Sequence, residues 1–364
     1  MNPSDEVSAY VRLKRIGLAR EIRTKTKIYL DTKYWAMLRD VRLERSTSNA
    51  ISELLARLES LVSDGKAICP LNADIYFEIL KQNDPHTLKA SVQLMDDLSD
   101  GICLAPMTER IPTEVFHLLE SIRLGSDGVF RLDELMWTKA AYIIGFVTPD
   151  CYLLEREDNL KIQKAFADHM WTLRLMDYLN TMGVDKAAAR PSSFPDISSQ
   201  LNEGKMSNLD EHKSFKSLFL CEMQGVLDVH KTEFASLMHY RYERDTGQAI
   251  TEQDKASDNS GQLIANLIYH AFRLNKVPSG ALPSLRIGAG LHAALRWDRN
   301  RTYKANDLFD FRHAEAAMPY CDYFFTERSL WHLLQDGNLK LSDSYHCQVH
   351  YDAAAALASL SVIE

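Results

Sequence analysis

The sequence predicts an α/β protein in which a three-layer parallel sheet is interrupted by a large all-helical insertion. Three short apolar runs alternate with helix-like segments between residues 27 and 106, and two more such runs lie between 321 and 351. Strands and helices that alternate at this spacing favour right-handed crossovers and a parallel sheet. From about 122 to 299 the apolar residues recur at helical intervals instead. The predicted domains are a discontinuous α/β domain, 1–121 with 300–364, and an insertion, 122–299.

Each element of this pattern has a recognisable boundary or period. Asp-Gly pairs end two of the early helices, and Asn72 is expected to cap the helix that carries Glu78. Strands are predicted at 27–31, 67–71, 102–106, 321–326 and 347–351. Helices are predicted at 11–23, 51–62, 86–98, 162–178, 209–242, 262–274 and 305–318, with linkers at 187–208 and 246–261.

Composition and charge limit the classes of function. The chain has 364 residues, 46% of them apolar, and a formal charge of −8, so adhesion of the whole surface to nucleic acid is not expected. No run approaches the ~20 apolar residues of a membrane span, which predicts a cytoplasmic protein without a membrane partner. The six cysteines are widely separated and include no CxxC pair, which predicts buried reduced thiols rather than a zinc site or disulfides.

Two basic segments each lead into an acidic segment. Residues 12–27 carry seven bases against one acid, and residues 296–304 carry four bases against one acid. Lys and Arg side chains position a nucleic-acid backbone without reading its sequence. The first segment, and Arg299, Arg301 and Lys304 of the second, are therefore predicted to bind such a backbone.

Five acidic residues lie where an α/β sheet binds its ligands, beyond the carboxyl ends of the strands. Asp31 ends the first strand, Glu78 lies on the helix after the second, and Glu327 follows the fourth. Asp307 and Asp310 open the helix before the fourth strand, where the helix dipole tolerates neighbouring negative charges. Clustered carboxylates repel unless a cation joins them. Bound Mg²⁺ or Mn²⁺ can activate water and stabilise a phosphodiester under attack, so all five acids are catalytic candidates.

Three segments resemble the motifs of PIN-like nucleases. "KIYLDTKYW" is similar to the first motif of that family, "CPLNADIYFEIL" to the second, and "NDLFDFRHAEAAMPYCDYFFTERSL" to the third and fourth joined together. The resemblance covers about 25–121 and 300–364. It implies a PIN-like (Rossmann-like) fold and a metal-dependent nuclease, most often acting on RNA, with Asp31, Glu78 and Asp310 as the metal-binding core. It also implies hydrolysis that leaves 3′-hydroxyl and 5′-phosphate ends.

The sequence departs from the family's pattern at the fourth motif. Thr326 is followed by Glu327 where the family usually has Asp; the longer side chain can still reach a metal through water, and Asp322 is an alternative acid. Compact members of the family also lack the helical insertion. Substrate contacts are further predicted for Thr326, for His313, which could orient a phosphate or a water, and for Arg286, which could meet a phosphate.

Two alternative hypotheses remain open beside the principal prediction of a cytoplasmic endoribonuclease. "RIGAGLH" (286–292) fits the loose Arg-to-His spacing of metal-independent helical HEPN ribonucleases, which would keep their activity in EDTA. In the other hypothesis the domain has lost catalysis and serves as a scaffold that binds a protein partner, or a second copy of itself, through the insertion. Cleavage of DNA would use the same chemistry as cleavage of RNA.

Overall fold

A four-stranded parallel sheet organises the α/β part of the chain. The computed structural model describes residues 3–125, 129–145, 147–151, 153–188, 197–208, 213–339 and 341–363. Its strands are β1 (Thr26–Leu30), β2 (Ala67–Ile68), β3 (Ile102–Leu104), β4 (Trp137–Lys139), β5 (Tyr323–Phe325) and β6 (Gln348–His350). The parallel sheet has the order β2-β1-β5-β6. The chain therefore combines helices with a parallel sheet, as the sequence predicts.

The register of the sheet brings two of the predicted site residues together. Ile28 pairs with Tyr323 and Leu30 pairs with Phe325. The residue that follows β1 is Asp31, and the residue that follows β5 is Thr326. The backbone N–H of Asp31 donates a hydrogen bond of 3.0 Å to the carbonyl of Phe325, so the two residues are neighbours at the carboxyl edge of the sheet.

The third predicted strand does not join the parallel sheet. β3 pairs antiparallel with β4, which lies within the region predicted to be all helical. One parallel bridge, from Leu71 to Cys103, links β3 to the segment after β2. A three-residue strand such as β4 is too short to show the alternation by which strands are recognised in a sequence.

Helices cover the sheet and form the rest of the described chain. Before the insertion they are α1 (Pro3–Glu21), α2 (Thr32–Arg42), α3 (Asn49–Ser63), α4 (Ala73–Ile79), α5 (Pro85–Ser99) and α6 (Met107–Leu124). They continue with α7 (Ala140–Ile144), α8 (Arg156–Thr172), α9 (Leu175–Met182), α10 (Val184–Ala188), α11 (Ser198–Ser207), α12 (Phe215–Val229), α13 (Lys231–Thr246), α14 (Glu252–Ser257), α15 (Ser260–Arg273) and α16 (Pro283–Trp297). The last are α17 (Asp307–Tyr320), α18 (Arg328–Leu334), α19 (Leu341–Ser344) and α20 (Ala353–Ser359).

Several predicted helices and linkers differ from those observed. The helix predicted at 162–178 is two helices, because the buried carboxylate of Asp96 accepts hydrogen bonds of 3.0 and 2.8 Å from the backbone N–H groups of Leu175 and Met176 and so starts α9. The helix predicted at 209–242 is likewise divided into α12 and α13, and residues 209–212 lie outside the described residues. The linker predicted at 187–208 contains α11, whereas its residues 189–196 also lie outside.

The hydrophobic core extends across the predicted domain boundary. Trp137 and Leu175 of the predicted insertion pack in the same cluster as the sheet. α16 lies between two clusters, since its Ile287, Leu291 and Leu295 contribute to the sheet cluster while other side chains of α16 join a separate helical cluster. The division of the chain into two domains therefore stays a prediction.

The cysteines form no disulfide among the described residues. Cys69, Cys103, Cys321 and Cys347 are buried, as predicted for all six. Cys151 is partly exposed and Cys221 is exposed, so the predicted burial is wrong for these two.

The packing of α13 against α15 gives a test of the fold. A Cβ atom added at Gly261 would collide with the backbone of Lys231, whose carbonyl carbon would be 3.0 Å away. We expect Gly261→Ala to lower the free energy of unfolding by about 1–3 kcal/mol, because crowding in a packed interior forces the neighbours apart. Gly225 of α12 is the matched control, since a Cβ there meets nothing within 4 Å. Gly225→Ala should raise stability by up to about 1 kcal/mol. Equal effects of the two substitutions in urea unfolding would contradict the helix packing.

Candidate active site

Asp31 is a buried carboxylate at the carboxyl end of β1. One oxygen, Oδ1, accepts a hydrogen bond of 3.1 Å from the backbone N–H of Tyr34 and thereby caps α2. The other, Oδ2, is buried and has no hydrogen-bond partner within 3.5 Å among the described residues, although the hydroxyl of Thr326 is near enough to the carboxylate to lower its pKa. Burial raises the pKa of Asp31 to about 6, although the nearby His313 opposes the shift. This carboxylate therefore has an unsatisfied oxygen that a cation or a donor could use.

Asp310 lies in the first turn of α17 and faces the same site. No ion pair or hydrogen bond joins its carboxylate to another described residue. Burial raises the pKa of Asp310 to about 7; His313 opposes the shift, whereas the charges of Asp31, Glu327 and Asp307 add to it. The four carboxylates are therefore close enough to repel one another.

One oxygen of Glu78 is held by two protein groups. Its Oε2 atom lies 2.9 Å from Nε2 of His313 and accepts a second, short hydrogen bond from the hydroxyl of Thr32. Burial alone would raise the pKa of Glu78, but the hydrogen bond and charge of His313 outweigh it and lower the pKa. The other ring nitrogen of His313, Nδ1, lies 2.8 Å from the hydroxyl of Tyr29.

His313 is therefore satisfied within the protein. Both of its ring nitrogens have protein partners, so in this structure neither is directed at a substrate. Burial lowers the pKa of His313, but the hydrogen bond and charge of Glu78 more than compensate, and the pKa is raised overall. The predicted contact of His313 with a phosphate or a water is replaced by a positioning contact with Glu78.

The remaining acids have different surroundings. Asp307 accepts a hydrogen bond of 2.8 Å from the backbone N–H of Lys304, which is a local cap at the start of α17. Glu327 precedes α18 but its side chain makes no cap hydrogen bond. The hydroxyl of Thr326 is buried beside the carboxylate of Asp31, whose pKa it helps to lower. Asp322 accepts from the backbone N–H of Lys27 at 2.8 Å, which places it at the amino edge of the sheet, so Asp322 cannot replace Glu327.

The expected metal core of three carboxylates is not assembled in this structure. Among the described residues, no group of three or more His, Cys, Asp or Glu side chains is placed to hold one ion together. Both protein contacts of Glu78 engage its Oε2 atom and orient the side chain towards His313, whereas Asp31 and Asp310 lie close together at the end of β1 and the start of α17. A pair of carboxylates still fits Mg²⁺, because this ion keeps several waters and binds proteins through one or two carboxylates plus substrate phosphates.

The predicted phosphate-binding bases lie at different places. Arg286 stacks on the ring of Phe272, with its guanidinium carbon 5.2 Å from the ring centre, and makes no ion pair with the five acids. Arg301 donates to the carbonyl of Ser329 at 3.3 Å. Arg299 and Lys304 are exposed. Lys304 lies three residues before α17, and its contact with Asp307 is made by its backbone N–H.

The basic helix α1 is largely neutralised by other helices. Its Lys14 lies 2.5 Å from Asp168, and its Arg15 lies 2.7 Å from Glu109. Arg20 pairs with Glu134 at 3.0 Å. The prediction that this helix holds a nucleic-acid backbone is therefore unsupported for these three bases, which instead attach α1 to the helices around it.

The HEPN-like spacing of Arg286 and His292 does not form a site. Both residues lie on α16, where six residues correspond to about 240° around the axis, so their side chains leave different faces. His292 lies 3.0 Å from the hydroxyl of Tyr303 and packs edge-on against Phe311. Burial lowers the pKa of His292 to about 4, and its role here is structural.

A buried ionic cluster beneath α17 was not predicted. Arg110 of α6 is fully buried and its NH2 atom lies 3.9 Å from Oε2 of Glu315. Glu114, one turn after Arg110, accepts hydrogen bonds from the hydroxyls of Ser284 and Tyr320 at 2.6 and 2.8 Å. The available signal in the sequence was the i, i+4 pair of opposite charges within an apolar helix. The cluster fixes α17, and hence Asp310, against α6 and α16.

Comparison of the chain with protein-family models, with curated proteins and with solved structures finds no match. The assignment of a function therefore depends on the geometry of the site. Among the described residues, the helices include none with the length and apolar character needed to cross a bilayer.

The ionic cluster predicts a pH dependence of stability. Burial raises the pKa of Glu315 from 4.5 to about 8, so its contribution to stability is complete below about pH 4.5 and is lost as the pH rises towards 8. Glu315→Gln cannot ionise and leaves Arg110 balanced by Glu114 alone. We expect the variant to exceed the native chain by about 1–3 kcal/mol in free energy of unfolding at pH 8, and by much less at pH 5.

Urea unfolding at pH 5, 6.5 and 8 measures this difference. Glu53→Gln, at an exposed position of α3, is the control and should follow the native chain at each pH. A difference between Glu315→Gln and the native chain that is constant with pH would show that Glu315 has an ordinary pKa.

Proposed function

We propose that this protein is a metal-dependent endoribonuclease that hydrolyses phosphodiester bonds of RNA with Mg²⁺ or Mn²⁺ at Asp31 and Asp310. The observation that carries the proposal is this pair of carboxylates, one buried and one partly buried, which repel each other and form no ion pair with a lysine or an arginine among the described residues. In the protein alone their pKa values are raised, to about 6 and about 7. A divalent cation would favour the ionised form of both and would remove the cost of burying them.

The residues around the pair have separate parts in the proposed reaction. A bound divalent ion would supply the Lewis acid that activates water and offsets negative charge on the phosphate. Asp31 and Asp310 would hold it from the end of β1 and the first turn of α17. Thr326, whose buried hydroxyl lies beside the carboxylate of Asp31, would donate to Asp31 or to a water. Glu327 would act through water, since its side chain is partly exposed beside Asp310.

The Glu78–His313 pair would position the reacting water. His313 keeps Glu78 ionised at the pH of the cell, because its hydrogen bond and charge lower the pKa of Glu78. An ionised carboxylate can accept a proton from an attacking water, provided that it lies within hydrogen-bond reach. The hydroxyl of Tyr29 fixes the orientation of the His313 ring from the opposite side.

RNA is proposed as the substrate because the segments that carry these acids resemble the motifs of PIN-like nucleases. That resemblance also suggests products with 3′-hydroxyl and 5′-phosphate ends. Lys304, exposed in the segment that leads into α17, would contact the phosphate backbone by charge and without reading the bases. The acidic surface of the whole chain would confine RNA to such local contacts.

Cleavage assays test the proposal. Labelled RNA and DNA of one sequence are incubated with the native chain in Mn²⁺, in Mg²⁺ or in EDTA. We expect RNA to be cut with either ion and to stay intact in EDTA. Asp31→Asn and Asp310→Asn should each reduce the rate by about 100-fold or more, because each removes an ionic ligand worth several kcal/mol of transition-state stabilisation.

Asp322→Asn is the matched control for these substitutions. It removes an acid of the same motif at the opposite edge of the sheet, and its amide oxygen can still accept from the backbone N–H of Lys27. This variant should cleave RNA like the native chain. Activity that persists in EDTA, or that survives both Asp31→Asn and Asp310→Asn, contradicts the proposal and would favour a metal-independent ribonuclease.

A catalytically inactive scaffold is the second candidate. Two observations favour it: Glu78 is engaged by His313, and α15 exposes Leu263 and Leu267, one turn apart, to more than half of their surface. Leu274, just after the same helix, is exposed to 60%. Apolar side chains grouped in this way often mark a surface that binds a partner. The scaffold hypothesis predicts no cleavage of RNA or DNA with any cation.

A further inference from the structure

A cavity of about 530 Å³ is lined by residues of α4 and α17, by 106–109 at the start of α6 and by 142–145 at the end of α7. Its volume falls within the ~300–1,000 Å³ typical of small-ligand sites. Its aromatic and charged lining residues are Asp74, Phe77, Glu109, Tyr142, Phe309 and Arg312. Because Glu109 is paired with Arg15, the cavity offers flat apolar surface together with the donor of Arg312 and the acceptor of Asp74.

The cavity and the acids are carried by the same two helices. Phe77 directly precedes Glu78 on α4, and Phe309 directly precedes Asp310 on α17. Consecutive helical residues are about 100° apart around the axis. A ligand group in the cavity would therefore lie on the helix faces adjacent to those that carry the acids.

Positive groups accompany the aromatic rings. The ammonium group of Lys81 lies 4.4 Å from the centre of the Phe309 ring, and the guanidinium carbon of Arg312 lies 5.8 Å from it. Lys81 also helps to lower the pKa of Glu78, so it lies between the cavity and the acidic site. Phe77 exposes 41% of its surface. Aromatic rings beside Lys and Arg are what single-stranded nucleic acids bind, since bases stack on the rings and cations follow the backbone.

The polar groups of the cavity suit the edge of a base. NH1 of Arg312 donates to Oδ1 of Asp74 at 3.3 Å, and the side-chain amide of Asn72 donates to Oδ2 of Asp74 at 3.3 Å. Both contacts are long for hydrogen bonds to a charged group. Arg312 and Asp74 can thus each make a further contact, one as a donor and the other as an acceptor.

We propose that this cavity binds an unpaired nucleobase of the RNA strand next to the bond that is cut, and that the substrate is therefore single-stranded. The inference rests on the proposed function and specifies its substrate class. A base in a duplex is stacked on both faces and paired at its edge, so it cannot enter the cavity, whereas an unpaired base can stack on Phe77.

Binding measurements in EDTA test this inference separately from catalysis. The probe is a fluorescein-labelled 16-nucleotide RNA without self-complementarity, used alone or annealed to its complement, and fluorescence anisotropy gives the Kd. We expect the native chain to bind the single strand more tightly than the duplex. Phe77→Ala should weaken binding of the single strand by about 5- to 100-fold and leave the duplex unaffected, because it removes one stacking contact.

Two variants control for the loss of a ring. Phe77→Tyr keeps the aromatic surface and should bind like the native chain. Phe130 lies outside this cavity and has a similar exposure, 44%. Its ring also lies near a cation, since the guanidinium carbon of Arg20 is 5.9 Å from the ring centre. Phe130→Ala should also leave the Kd unchanged. Circular dichroism checks that each variant is folded.

The outcomes separate this inference from the proposed function. Equal affinity for single strand and duplex, an unchanged Kd in Phe77→Ala, or an equal loss in Phe130→Ala overturns the base site, even if the protein cuts RNA. Binding of the single strand that depends on Phe77, in a chain that cuts nothing with Mn²⁺ or Mg²⁺, supports the base site and contradicts the nuclease.

Discussion

The proposed site depends most on two neighbouring carboxylates at the carboxyl edge of a parallel sheet, Asp31, which is buried, and Asp310, which is partly buried. Taking a carboxylate out of water is costly unless it is paired or hydrogen-bonded. One oxygen of Asp31 accepts from a backbone N–H, and no ion pair or hydrogen bond joins the Asp310 carboxylate to another described residue. A site of this kind is less stable than a neutral one, and the surrounding fold has to hold it in place. A destabilising arrangement of charges of this kind is typical of residues that bind a ligand or take part in catalysis.

Two neighbouring groups limit the charge of the site. Glu78 is neutralised by His313, which is itself fixed by Tyr29. Beneath α17, the guanidinium of Arg110 faces the carboxylates of both Glu114 and Glu315. Burial raises the pKa of these two carboxylates, to about 7 and about 8, so part of the negative charge there is removed by protonation at neutral pH. Asp31 and Asp310, at the carboxyl edge of the sheet, form no ion pair with a lysine or an arginine among the described residues.

The sequence allowed the edge of the sheet to be predicted because strand ends are encoded locally. An apolar run that ends in an acid identifies Asp31, and the register of parallel strands then brings Thr326 beside it. The helices were predictable where their own residues set the limits, as with Asn72, whose side chain caps α4 by accepting from the backbone N–H of Ile75 at 2.8 Å. These features depend on interactions within a few residues of the chain.

Other features depend on contacts between distant segments and could not be predicted. The start of α9 is set by Asp96, which is 79 residues away from Leu175. The partner of Glu78 is 235 residues away, at His313. The position of β3 depends on β4, which is too short to be recognised. For the same reason, the sequence suggested the candidate acids but not the partner that each of them has.

The most direct measurement is anomalous diffraction from crystals of the native chain grown with Mn²⁺. The account predicts one manganese peak within about 2.5 Å of an oxygen of both Asp31 and Asp310, with waters completing the shell and Glu78 still bonded to His313. The absence of a manganese peak at these two carboxylates would contradict the account. A lysine or arginine side chain between them would contradict it as well.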